Sequence, residues 1–336
     1  MSAKAKFLRQ TFRRFHLCYS IVFQIRPYIV MRTGIFSKAV ANIYFLSNKN
    51  FTDNLYFRSA IFKIMKNIRI DYHTGTGGSK LVAELLAEEL KNNNINVEVN
   101  RIFRAQIDGI SEISNIDYYI LIFPVHSFCA PKPVYEWVEH LAGNRCKTAL
   151  IGVSGGGNVL SNSASRHKTV KLLKKSNFNV ILEDMIRMPN NWMGVPGKEK
   201  YIHILSKLPN KIGTISQAIL SEKKQRKIVY WIDYLISALG EVEKKSTAKF
   251  GNRIQVLDTC TGCGYCAKNC CSSNIQIENK KPTFGNRCDM CLGCIYNCPQ
   301  KALQPTYGAF QVDKNGYNLR LMCQDANLTA EFHPII

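Results

Sequence analysis

Acidic residues are scarce in this sequence. In 336 residues there are 24 Asp and Glu against 45 Lys and Arg, a formal net charge of +21 at pH 7. The shortage is uneven, since residues 1–70 carry thirteen Lys and Arg and one acid, Asp53. Such an excess suits nucleic acid, an anionic membrane or an acidic protein partner. No nucleic-acid recognition motif accompanies it, so no specific nucleic-acid ligand is expected. A long apolar run is also missing. The best one, LCYSIVFQIRPYIVM at 17–31, is too short for a transmembrane span and is broken by Arg26 and Pro27. There is no G-x-x-x-x-G-K-[ST] loop, and the glycine turn HTGTGGS at 73–79 is followed by Lys80 where a dinucleotide fingerprint needs its last glycine. Neither ATP nor a dinucleotide is favoured. Finally, the cysteines are not spread along the chain as in a small disulfide scaffold.

They are concentrated instead. Of thirteen cysteines, eight sit at C-x-x-C pitch in one segment, while Cys18, Cys129, Cys146, Cys271 and Cys323 lie apart. Cys260, Cys263, Cys266 and Cys270 return as Cys288, Cys291, Cys294 and Cys298 at a constant offset of 28, and Ile275 returns as Leu303. Each half reads C-x-x-C-x-x-C-x-x-x-C, the spacing of a [4Fe–4S] site whose fourth cysteine serves the other cluster. Cys260, Cys263, Cys266 and Cys298 are therefore assigned to one cluster, and Cys288, Cys291, Cys294 and Cys270 to the other. Zinc sites use pairs of ligands across a longer loop and fit less well. The second motif ends in Cys298-Pro299; the first has Cys271 in place of that proline.

Upstream, the pattern alternates. NIRIDY, INVEVN, DYYILIFPV, KTALIGV and FNVILEDMIRM read as strands. SKLVAELLAEELKNN (with Leu81, Leu85 and Leu86 inward), KPVYEWVEHLAG, residues 160–176 and most of 211–240 read as helices. This alternation predicts a parallel sheet covered on both faces, with ligands outside the carboxyl ends of its strands. Four regions are expected: a basic extension at 1–66 with an amphipathic helix around Leu8, Phe12 and Phe15; an α/β domain at 67–245; a two-cluster domain at 253–304; and a tail at 305–336. The extension is compatible with an organelle presequence or a membrane-surface contact.

Three turns leave the same predicted sheet edge: HTGTGGS, PVHSFCAP at 124–131 and GVSGGGN at 152–158. The first, between strand and helix, suits a terminal phosphomonoester. Together the three could hold a phosphate and a flat ring, with Phe128 as the stacking side chain. GVSGG also matches a nucleophile elbow at Ser154, and Asp184 and His203 follow in hydrolase order. No oxyanion loop accompanies them, and a hydrolase leaves two clusters without a purpose.

These turns and the cysteine module resemble the flavodoxin–ferredoxin fusion proteins of anaerobes over roughly residues 67–304, and MIRMPNNW at 185–192 resembles the segment after the third flavodoxin loop. The resemblance implies a flavodoxin-like doubly wound sheet plus a small α+β ferredoxin-like domain of the two-[4Fe–4S] bacterial type. It implies FMN with its phosphate at Thr74, Gly75, Thr76, Gly77, Gly78 and Ser79. Pro124, Val125, His126, Ser127 and Phe128 would flank one ring face, and Ser154, Gly155, Gly156, Gly157 and Asn158 would meet the ring edge. The expected function is electron transfer between the clusters and FMN, with an acidic redox partner protein, in the cytoplasm or in an organelle of an anaerobic eukaryote. The alternatives are an FMN-dependent reductase of a small organic substrate, with His126 as its acid; a serine hydrolase through Ser154; and a basic nucleic-acid-binding redox sensor.

Overall fold

Five apolar runs pair into one parallel sheet: β1 (Asn67–Tyr72), β2 (Asn96–Arg101), β3 (Tyr118–Pro124), β4 (Lys147–Ser154) and β5 (Asn179–Arg187). Their order is β2-β1-β3-β4-β5 and every pairing is parallel. This order, with helices on both faces, is the flavodoxin-like doubly wound arrangement. The computed structural model describes residues 67–328 apart from 110–112, 114, 159–161, 163 and 229. These residues belong to the second of the two units into which the chain divides, Met65–Ile336. The expected amphipathic helix and presequence within 1–66 lie outside the described residues.

Alternate side chains of each strand face opposite layers. Ile120 and Ile122 of β3 join a core with α1 (Gly78–Asn92) through Leu81, Leu86 and Leu90. Tyr119, Leu121 and Phe123 join a second core with α2 (Lys132–Glu139) and α3 (Ser165–Lys175) through Val134, Trp137, Val138, Val170 and Leu173. Leu85, expected inward, is only half-buried. After α4 (Lys198–Leu205), the region expected to be mostly helical over 211–240 is two helices, α5 (Leu208–Leu220) and α6 (Trp231–Gly251). Between them the chain lies along β5, where the Gln225 N–H donates to Ile181 O (2.9 Å) and its carbonyl accepts from Glu183 N (2.8 Å). The chain thus satisfies backbone groups on the free side of β5, and a continuous helix could not do this. Helix α6 also runs through residue 245, where the α/β region was expected to end.

The cysteine segment folds as two matching halves. β6 (Ile254–Val256) pairs antiparallel with β9 (Leu303–Pro305), and β7 (Ile275–Glu278) with β8 (Lys281–Phe284). Phe284 stands opposite Ile275; shifted by 28 residues in opposite directions, Val256 stands opposite Leu303. Helix α7 (Tyr265–Lys268) repeats as α8 (Gly293–Tyr296). The left-handed residues repeat too: Gly262 with Met290, Gly264 with Leu292, and Ser273 with Lys301. The sequence repeat is therefore a backbone repeat with an internal two-fold relation.

The stretch expected to be a tail is packed. Tyr317, Leu319, Met322 and Cys323 enter the same core as α1, and α9 (Leu319–Asp325) is capped by Asn318, whose side chain accepts from Leu321 N (3.1 Å). Asp325 ties α9 to α4 through Lys198 (2.6 Å) and the Tyr201 hydroxyl.

One polar group is sealed inside the sheet. Asp71 is fully buried on β1 and accepts from Tyr119 Oη (2.9 Å), Trp137 Nε1 (2.8 Å) and Arg69 Nε (2.8 Å). These bonds replace the hydration the carboxylate lost. Truncating it would leave a phenol, an indole and a guanidinium without their acceptor. Asp71→Ala is expected to lower the unfolding free energy by about 3 kcal/mol or more; chemical denaturation of the variant against the parent measures this.

Candidate functional site

The carboxyl ends of β1, β3 and β4 open into a cavity of about 650 Å³. All three predicted turns contribute to it: Thr74, Gly75, Thr76, Gly78 and Ser79; Pro124, Val125, His126, Ser127 and Phe128; and Ser154, Gly155 and Gly156. Three residues expected in the site do not line it. Gly77 is held at a left-handed φ of 100° with its N–H on Thr74 Oγ1 (3.1 Å), so it shapes the turn from behind. Gly157 turns its carbonyl to Ser154 Oγ (3.2 Å) and Asn162 Nδ2 (3.0 Å), and Asn158 is exposed.

The first turn offers donors that an anion can accept from. Helix α1 begins at Gly78 with no side-chain cap and no acidic residue in its first turn, so its leading N–H groups lack an internal acceptor. Beside them the Ser79 hydroxyl is buried without a hydrogen-bond partner and lines the cavity. A phosphate supplies acceptors for both. In the second turn, Ser127 and Phe128 both take positive φ (47° and 57°), and His126 and Cys129 exchange backbone hydrogen bonds of 2.9 Å. This tight hairpin presses Phe128 and His126 to the cavity. Helix α6 crosses closely behind it: a Cβ on Gly240 would stand 2.0 Å from Ser127 O.

Sequence reasoning missed the largest aromatic here. Trp192, in the segment after β5, lines the cavity with its indole N–H buried and unpartnered. It was legible only as part of MIRMPNNW, because its approach depends on the turn at Asn190 and Asn191. The Asn190 amide is bonded to Trp192 O, and the Asn191 amide donates to Thr76 Oγ1 (2.7 Å).

Two imidazoles lie at this edge, His73 buried and His126 half-buried with its Nδ1 enclosed. Burial pushes the His126 pKa down to about 4, and Lys244 adds to the effect. His73 is pushed well below the ordinary histidine range by burial first, then by His126 and Arg101. The Nδ1 of His126 and both ring nitrogens of His73 have no hydrogen-bond partner.

The cysteine module supplies the far wall. Asp289, Met290 and Cys291 line the same cavity. A Cβ on Gly75 would meet Cys291 Cβ at 2.6 Å and its Sγ at 3.0 Å, and one on Gly293 would meet Gly75 O at 2.6 Å. The two backbones approach this closely only because both positions are glycine. Cys271, standing where a proline was expected, is part of the seam. Its thiol is buried and donates to Thr74 O (3.2 Å), while Arg101 Nη2 donates to its Sγ (3.3 Å) and Nη1 to Asn269 Oδ1 (3.2 Å).

None of the eight repeated cysteines forms a disulfide. Cys260, Cys263, Cys266 and Cys298 line one small hollow, closed by Ile277, Pro282 and Leu303. For Cys266, burial raises the thiol pKa, and the nearby Cys263 and Cys298 contribute. Burial likewise lifts Cys288 to about 12 and Cys291 and Cys294 well above the usual range, and Cys270 is an electrostatic neighbour of all three. Backbone N–H groups point at sulfur at matching places: Asn274 to Cys270 (3.3 Å) and, 28 residues on, Ala302 to Cys298 (3.4 Å). Among the described residues no group of three or more His, Cys, Asp or Glu can hold a metal ion. In a cubane, each thiolate binds its own iron at its own corner, so its ligands need not converge on one ion. The donor set and N–H···S bonds fit such a cluster.

The hydrolase residues are not brought together. Ser154 Oγ is engaged by Gly157 O and Asn162 Nδ2, Asp184 is held by Lys211 (2.7 and 2.8 Å), and His203 is exposed on α4.

No protein-family model matches the sequence, and neither does any curated protein. Solved structures with a similar fold include a short-chain flavodoxin associated with a non-canonical PDU bacterial microcompartment (14% identity, 47% of this chain and 99% of that one, TM-score 0.34). Flavodoxin 2 from Bacillus cereus is similar at 14% identity over 46% and 98%, with a TM-score of 0.32. General stress protein 14 of Treponema denticola, in complex with FMN, is similar at 12% identity over 47% and 98%, with a TM-score of 0.33. The fold assignment rests on the strand order and connections, not on these scores.

A pH dependence follows from His73. The folded state keeps it neutral, whereas the unfolded chain protonates near pH 6.5. Below that value the unfolded state binds more protons, so stability is lost as pH falls. The thermal midpoint of the protein is expected to drop from pH 7 to pH 5, and the drop should shrink in His73→Gln.

Proposed function

We propose that the chain is an electron-transfer iron–sulfur flavoprotein, with FMN in the cavity and two [4Fe–4S] clusters in the repeated module. The observation that carries this reading is the shared wall: the anion-receiving turn at Gly75 lies in van der Waals contact with Cys291, a ligand in the second triple. FMN, when bound, links two-electron to one-electron chemistry, and the clusters pass one electron at a time. The chain's own part is placement. The start of α1 and Ser79 hold the phosphate; Trp192 and Phe128 are the aromatic surfaces available to a flat ring; Gly75 and Gly293 let the Cys291 segment come close. Cys298 and Cys270 each cross to the other half, which keeps the two sets of ligands adjacent. The cluster assigned to Cys288, Cys291, Cys294 and Cys270 is then the one next to the flavin. The set with the exposed Cys263 is the outward terminal for a redox partner, which the net charge of +21 favours as acidic.

Anaerobic reconstitution followed by iron, sulfide and flavin analysis tests this. About eight iron atoms per chain and FMN in equal proportion to protein are expected. Cys298→Ser should lower the iron content, whereas Cys271→Ser should retain it because Cys271 belongs to the seam. A protein that takes up iron but no flavin would sink the flavin half of the proposal, and flavin without iron the cluster half.

One observation favours a second reading, an FMN-dependent reductase. His126 lines the cavity with Nδ1 buried and unpartnered, and the cavity is of small-molecule size. On this reading His126 orients a substrate through a neutral imidazole. Its mark is reoxidation of the reduced protein by a small organic acceptor that slows at least about tenfold in His126→Phe; an unchanged rate removes His126 from the site.

A further inference from the structure

Helix α6 presents an unpartnered apolar face. Trp231 (74% exposed), Tyr234, Leu235, Leu239 (68%) and Val242 (64%) are all solvent-exposed. At 100° per residue they fall within one stripe that runs about 16 Å along the helix. Ile228 and Tyr230, just before the helix, extend it. Single exposed apolar residues are ordinary, but a continuous stripe of this kind marks a contact surface.

The surroundings of the stripe are basic. Lys223 and Lys224 are exposed in the bend before α6, and Lys171, Lys174 and Lys175 are exposed on α3. Helix α3 is the neighbour on which the stripe leans, since the His167 ring packs edge-on against Tyr234 at 4.2 Å. The carboxylates of α6 are engaged elsewhere: Asp233 is buried and accepts from Tyr230 N (2.9 Å), Glu241 is paired with Lys168 and Lys244 (both 3.2 Å), and Glu243 lines the cofactor cavity.

We propose that this face of α6 docks on an anionic membrane surface, with the aromatic and aliphatic stripe entering the headgroup boundary and the lysines meeting lipid phosphates and carboxylates. Trp and Tyr beside Leu and Val, rimmed by lysine, is the composition of an interfacial helix. Among the described residues no helix is long and apolar enough to cross a membrane, so the contact is with the surface. A second copy of the chain is a poorer occupant, because pairing this face with itself brings the two lysine rims together in a molecule of net charge +21. The inference is independent of which cofactors the chain carries.

The test is sedimentation of the full chain with phosphatidylcholine vesicles, with and without phosphatidylserine. Binding is expected to the anionic vesicles only and to weaken with salt. The double variant Trp231→Ser/Leu239→Ser should bind at least about tenfold more weakly. Both positions are exposed, so its unfolding transition should match that of the parent. Of the three tryptophans, Trp137 is buried and Trp192 half-buried. A blue shift of emission on vesicle binding should therefore come from Trp231 and vanish in Trp231→Phe, which keeps its binding. Residues 1–66 are present in every variant, so binding that survives the double substitution belongs to that extension and overturns the proposal. So does an absence of vesicle binding. A dimer that the double variant converts to a monomer, without any effect on vesicles, assigns the face to a second copy and overturns it as well.

Discussion

The contact between the Thr74–Gly75 turn and the cysteine module governs the arrangement of the site. A two-cluster module joined by a flexible linker would meet the sheet only transiently. Here Cys271 donates to Thr74 O, Arg101 reaches both Cys271 and Asn269, and neither Gly75, against Cys291, nor Gly293, against Gly75, has room for a side chain. The residues that shape the Thr74–Gly75 turn are thus the residues that seat the second cysteine triple. Arg101 also comes from the end of β2, so the seam is anchored in the sheet itself. Electron exchange between two cofactors falls steeply with separation, so a seam built from glycine and backbone puts geometry where the proposed chemistry needs it.

The parts legible in the sequence are those with short-range rules. Alternating apolar runs gave the parallel sheet, because a strand buried on both faces reads as a continuous hydrophobic stretch. The offset of 28 gave the duplicated module, and the backbone repeats even its left-handed residues, Met290 standing where Gly262 does and Leu292 where Gly264 does. That two non-glycine residues hold positive φ there shows how tightly the surrounding loop constrains them.

The rest depended on contacts between distant segments. Trp192 reaches the cavity because Asn191 is tied to Thr76, 115 residues earlier. Tyr317 and α9 have weak local signals yet complete the core over α1, so what reads as a tail is structural. The break between α5 and α6 follows from an edge of β5 that needs a partner, and helical periodicity carries no information about that need. Cys271 looked like a missing proline. Its role comes from a carbonyl on the other side of the seam.

The charge distribution ties these features together. In the second triple, burial and then the neighbouring charges push the Cys288, Cys291 and Cys294 thiols upward, so their ionisation is disfavoured. A bound metal cluster reverses this by supplying the positive charge that each thiolate needs. On the proposed reading, folding of the 254–305 segment is then coupled to loading, because its hydrophobic contribution is small: Ile254, Leu292 and Leu303 form a buried cluster with Phe250 of α6. The sheet domain needs no such help, with two extensive cores of its own. On that reading the seam joins an element that is stable by packing to one that depends on its ligands. Contacts at Gly75 and Cys271 hold the cysteine module in register against the sheet whether or not a cofactor is bound.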